Sequence, residues 1–181
     1  FVSLIGDTTV IKAWSSNPNG MVDQNPINDT ATISTIGCVL VLNGTYDIGG
    51  GNNDFAQLSD AMNALTACGV SGPVVFRLAS GSYTNLDTIS MIYFGTSATN
   101  TVTFTSITGN ASDVVFTSTT DVITLQNTAH LIWKNITIDA TQGNVGVKFV
   151  GSGENITIDS CVILARLSTA TAYRGISRDN T

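Results

Sequence analysis

Two copies of Asn-Ile-Thr-Ile-Asp, at residues 135–139 and 155–159, set the first chemical question. Each ends in an aspartate. A pair of carboxylates about 5–10 Å apart can supply the acid and base of sugar hydrolysis. Asp121, Asp139, Glu154 and Asp159 are the acids available for such a pair. Calcium would need roughly six to eight oxygen ligands, normally from several converging carboxylates. His130 is the single histidine, and a catalytic triad would also need a nucleophile and an orienting acid. No spacing supplies them. Cys38, Cys68 and Cys161 lack the close Cys/His spacing of a structural zinc site. Free apolar thiols are therefore the default, with one disulfide as the alternative.

Whether the two aspartates act together depends on the elements that carry them. An interval of 20 residues superposes the two motifs but stacks Leu131 and Trp133 on Gly151 and Gly153. An interval of 25 instead sets Leu131 and Trp133 against Ile156 and Ile158, and Ile136 and Ile138 against Cys161 and Ile163. Successive strand residues point to opposite faces, so a stacked core needs apolar residues at every inward place. Only the longer interval meets that need. It sets Asp159 over Lys134 and Asp139 beside Leu164, so the aspartates do not meet. Asn135 then falls in a tight turn between two strands, with Ser160 as its counterpart. Asn suits the left-handed backbone of such a turn.

The same three-strand rhythm extends outward. One coil uses Val102/Phe104, Val114/Phe116 and Ile123/Leu125. The next adds Val147/Phe149 to the two pairs already named, and the last reaches Ile176. Coils of roughly 20–30 residues with three short strands describe a solenoid, a parallel β-helix. An antiparallel sandwich would call for many Asn-Gly type turns, and Asn43-Gly44 is the one such pair downstream of residue 36.

A solenoid end exposes apolar side chains and strand edges, so it needs a cap. Phe55, Leu58, Met62 and Leu65 share one helical stripe. Asp54 is the expected N-cap and Gly69 the expected left-handed residue past the end. A capping helix over 55–68 follows, then rungs from residue 74 to 181. Residues 8–14 and 30–36 alternate like strands around a turn-rich loop and predict a β-hairpin. Two strands bury little alone, so residues 1–36 are expected to close a sandwich begun earlier in a longer chain. Residues 37–73 would link the two parts.

Composition narrows the function. The 181 residues carry a net charge of -6, with 11% charged residues. So few cations make a poor nucleic-acid binder and leave no basic helix for a membrane surface. No apolar run reaches the roughly 20 residues of a membrane helix. The first residue is Phe1, which suggests a mature piece whose targeting segment lies elsewhere.

Several segments carry a family likeness. "GTYDIG" (44–49), "GVSGPVVF" (69–76) and "GSYT" (81–84), with the stretch to residue 138, resemble the start of large right-handed parallel β-helix proteins secreted by Bacteroidetes. Those proteins are similar in fold to the pectin-lyase-like group. "IKAWSSNPNGMVDQNPINDT" (11–30) resembles the last hairpin of the Ig-like modules found in the same proteins. The resemblance implies an all-β chain and export by the type IX secretion system. It also implies an adhesive or filament role at the cell surface, with surface glycans or the secretion and outer-membrane machinery as partners. Asp-Thr-aliphatic at 29–31 and 87–89 resembles the O-glycosylation signal of such proteins, with Thr30 and Thr88 as acceptors.

Pectate-lyase-like enzymes hold calcium in Asp/Glu clusters and use Arg or Lys as base. Arg166, Arg174 and Arg178 gather near Asp179, but no acid cluster accompanies them, and a solvated face accounts for them. The leading expectation is a non-catalytic segment without metal or cofactor. The alternatives are the first part of a polysaccharide lyase or glycoside hydrolase, and a glycan-binding module.

Overall fold

The computed structural model describes residues 5–14, 20, 30–38, 41–84, 86, 89, 92–167 and 173–179. The chain divides into two compact units, Ser3–Leu40 and Val41–Thr181. The first contains a hairpin of β1 (Ile5–Trp14) and β2 (Thr30–Cys38), antiparallel, with Trp14 opposite Thr30. The alternation of residues 8–14 and 30–36 predicts this pairing.

The second unit is predominantly β, and its sheets are parallel. β3 (Leu42–Ile48) is followed by α1 (Leu58–Cys68), then β4 (Val70–Leu78) and β5 (Gly81–Thr84). Nine further strands follow: β6 (Val102–Ser106), β7 (Val114–Thr117), β8 (Ile123–Gln126), β9 (Leu131–Lys134), β10 (Thr137–Ala140), β11 (Val145–Val150), β12 (Thr157–Asp159), β13 (Val162–Ala165) and β14 (Arg174–Asp179). They form three sheets that the chain visits in rotation. The first runs β12-β9-β6-β4-β3, the second β13-β10-β7-β5, the third β14-β11-β8.

Register follows the apolar alternation. Ile158 lies beside Trp133 and Ile163 beside Ile138, the interval of 25 expected from the sequence. Val102 pairs with Leu131, Phe116 with Ile138, and Val147 with both Ile123 and Ile176. Intervals differ between sheets because the turns differ in length while each strand keeps its inward residues in column. In the first sheet Phe76, Phe104 and Trp133 stack ring on ring, at centroid distances of 5.3 Å and 4.6 Å. Tyr83 stacks on Phe116 at 5.3 Å in the second.

Burial divides the expected core in two. Leu131, Trp133, Ile136 and Ile138 are buried, whereas Ile156, Ile158, Cys161 and Ile163 are half-buried. The difference is one of position: β12, β13 and β14 each end their sheet among the described strands, so only one side is covered.

The helix departs from expectation at its start. It begins at Leu58, not residue 55, and Gln57 rather than Asp54 is the N-cap. Asp60 accepts a hydrogen bond from the Gln57 N–H at 3.2 Å, an acidic partner in the first turn. Asp54 is drawn elsewhere: its carboxylate accepts from the Asp47 N–H at 2.7 Å and ties a turn back to β3. Phe55 joins that turn, forming a bridge with Ile48. The face that packs is Ala61, Ala64, Leu65 and Cys68, while Leu58 and Met62 are half-buried. Small residues let the helix lie close to the stack.

Gly69 does end the helix, at φ 65 and ψ -158. An added Cβ there would lie 2.3 Å from the Phe94 carbonyl oxygen. That backbone region is essentially restricted to glycine, and the tight approach lets the Val70 N–H donate to Phe94 O at 2.8 Å. Stacking also begins earlier than residue 74. β3 already pairs with β4, Tyr46 beside Phe76, so the segment expected as a linker supplies the first strand of the first sheet.

Candidate functional site

Asp47, Asp121, Asp159 and Asp179 find cations on neighbouring strands. Asp159 pairs with Lys134 at 3.0 Å, as the 25-residue register requires. Asp47 on β3 takes a two-pronged contact from Arg77 on β4, at 2.7 Å and 2.9 Å. Lys148 on β11 sits between Asp121, 3.3 Å away, and Asp179 on β14, 3.1 Å away. Each pair spans adjacent strands of one sheet or the turn leading into it. Asp139 lies beside Leu164 and accepts from the Thr141 N–H at 2.9 Å, a local turn contact. Glu154 is exposed and takes part through its backbone, in a bridge with Ala129.

These geometries do not bring the four acids into a facing pair. Among the described residues, no three His, Cys, Asp or Glu side chains converge in a manner suited to a metal ion. His130 sits at φ 60 in the turn before β9, with a buried Nδ1 that has no hydrogen-bond partner. Its backbone is fully used: the N–H donates to Glu154 O and the carbonyl accepts from Val102 N. That is a corner role. Asn135 (φ 51) and Ser160 (φ 53) occupy matching left-handed corners, as do His130 and Asn155 (φ 52).

Of the arginines expected together, Arg174 and Arg178 lie on β14 with Asp179. Arg166 lies over the Tyr173 ring at 4.9 Å, a cation–π contact, and Arg174 reaches Ser177 Oγ at 3.4 Å. Thr30 is an exposed residue at the start of β2, and Thr88 lies outside the described residues. Cys68 is disulfide-bonded, against the free-thiol default. Cys161 is free, and its thiol donates to the Trp133 carbonyl at 3.4 Å. Burial raises its pKa.

Asp159 titrates below the usual carboxylate range because Lys134 holds its charged form by a hydrogen bond. A depressed folded-state pKa contributes stability that is present above the unfolded value and lost as pH falls through the folded one. Lys134→Met is expected to lower stability near neutrality and to flatten the acid limb below about pH 4. Urea unfolding at several pH values measures both. Both side chains are nearly half exposed, so the effect will be small and will shrink in high salt.

Sequence reasoning missed one feature entirely. A cleft of about 520 Å³ lies between α1 and the end of the second sheet. Leu58 and Met62 of α1 line it together with Tyr83, Ile89, Tyr93 and Phe116. Tyr93 is buried, which pushes its pKa up to about 12, so its phenol stays neutral at physiological pH. Among the described residues, no charged side chain lines the cleft. Leu58 and Met62 fall on the same stripe as Leu65, so their spacing does not mark it.

Compared with family models, with curated proteins and with solved structures, the chain matches none.

Proposed function

We propose that the second unit is a right-handed parallel β-helix capped by α1, and that the hairpin before it closes an Ig-like sandwich. On this reading the chain is a non-catalytic structural or adhesive segment of a large secreted, cell-surface protein of the Bacteroidetes type, exported by the type IX system. The right hand is the expected one, because parallel strand–crossover–strand connections are nearly always right-handed.

The observation that carries the reading is how charge is spent. Asp47–Arg77 and Lys134–Asp159 join successive strands, and in the Asp121–Lys148–Asp179 triad both carboxylates are neutralised by one ammonium that links β11 to its neighbours. The outer face thus reinforces stacking. The disulfide at Cys68 supports an oxidising, extracellular setting, since cytosolic disulfides are rare. Surface glycans and the export machinery are the proposed partners.

A direct comparison tests it. The 181-residue chain, coupled to beads, is expected to adhere to cells or glycan arrays without shortening pectin, alginate or xylan. Robust depolymerisation of any of the three would overturn the non-catalytic reading and favour the lyase or hydrolase alternative.

A further inference from the structure

The cleft beneath α1 coincides with an unfinished sheet. In the first sheet β3 covers β4, with Tyr46 beside Phe76. In the second sheet β5 is terminal: β7 pairs with one side, and no described strand pairs with the other. Ser82, Tyr83 and Thr84 all line the cleft. Side chains alternate along a strand, so three consecutive residues can face one space only if the strand edge itself faces it. The backbone N–H and C=O groups on that side of β5, which have no strand partner among the described residues, therefore border the cleft.

Its chemistry suits one kind of occupant. The described lining is uncharged in a chain of net charge -6. The volume falls within the range of about 300–1,000 Å³ found for ligand sites. Tyr83 stacks one face on Phe116, and it also lines the cleft. A side chain placed over that ring would extend the column of Tyr83, Phe116, Ile138 and Ile163. A sugar could use the ring but would leave the evenly spaced backbone groups of β5 unmatched. An extended peptide matches both.

We propose that this cleft takes an uncharged, extended peptide segment, which adds a strand to the free edge of β5 and seats an apolar side chain over Tyr83. Recognition of this kind takes affinity from main-chain hydrogen bonds and selectivity from alternate side-chain pockets. The proposal goes beyond the adhesive reading and does not depend on it.

The test uses the whole chain and a fluorescent, end-blocked peptide of sequence VVFTSTT, a neutral copy of residues 114–120. Micromolar binding by fluorescence anisotropy is expected. It should weaken at least about tenfold with Met62→Trp, which fills the cleft, and with a peptide carrying Asp in place of its Phe. On the unaltered chain, the peptide should also slow hydrogen exchange of backbone amides within Gly81–Thr84. That measurement decides the matter even if Met62→Trp fails to fold. Absence of binding overturns the proposal. So does binding that leaves β5 exchange unchanged, or displacement of the peptide by the neutral trisaccharide maltotriose.

Discussion

Ile138→Asp is expected to lose most of the stability of the stacked unit. Ile138 is fully buried, between Phe116 on β7 and Ile163 on β13. Removing a buried Ile side chain alone costs about 2–5 kcal/mol. A carboxylate in its place meets apolar columns on either side, and an unpaired buried charge is costly enough that the group stays protonated instead. Against a typical total of about 5–15 kcal/mol, the combined loss reaches the unfolding threshold.

The pH dependence has a definite sign. Burial raises the folded-state pKa of the introduced Asp above its unfolded value of about 3.9. The deficit should therefore be smallest below that pH and grow as pH rises. Ile138→Val should cost only about 0.5–1.5 kcal/mol. Urea unfolding of both variants at pH 4 and pH 7 measures the contrast. Wild-type stability in the Asp variant at pH 7 would show that residue 138 does not face the interior.

The second large effect is expected at Trp133. Its ring lies 4.6 Å from Phe104, nearly parallel, and 5.8 Å from Phe116, edge-on. It is one of the largest fully buried side chains of the core. Trp133→Ala should cost about 3–5 kcal/mol, because the rigid columns around it cannot close the space. Trp133→Phe should cost less than half as much. It keeps a stacked ring, and it removes the indole Nε1, which is buried without a hydrogen-bond partner and costs about 1–3 kcal/mol. Equal losses in the two variants, measured by urea unfolding, would mean that the aromatic stack contributes nothing beyond volume.

Much of the stack was legible because its code is local. Apolar residues at alternate positions name the inward face, and one criterion, that every inward place stay apolar, selects an interval of 25 over 20. That choice places Asp159 on Lys134 and Ile163 on Ile138, as the structure does. The left-handed corners at Asn135 and Ser160 follow, since two strands that turn from one sheet to the next need such a residue. The helix was legible by its stripe and its closing glycine.

Features that join distant segments were not legible. Asp54 has the chemistry of an N-cap, but whether it caps depends on where β3 ends, and the Asp47 N–H claims it first. Lys148 has Asp121 and Asp179 as partners only because β8, β11 and β14 lie side by side. The disulfide at Cys68 could not be chosen from three cysteines. The cleft depends on one sheet ending a strand before its neighbour, with a helix laid above it.

The sequence by itself therefore determined most of the strands, their inward faces and the 25-residue interval from β9 to β12 and from β10 to β13, because a two-residue period is written into neighbouring side chains. Tertiary structure alone decided the partners of Asp47, Asp54 and Lys148, where the helix begins and what its exposed flank encloses. Those outcomes depend on distances between residues far apart in the chain, and turn length, which varies from coil to coil, sets those distances.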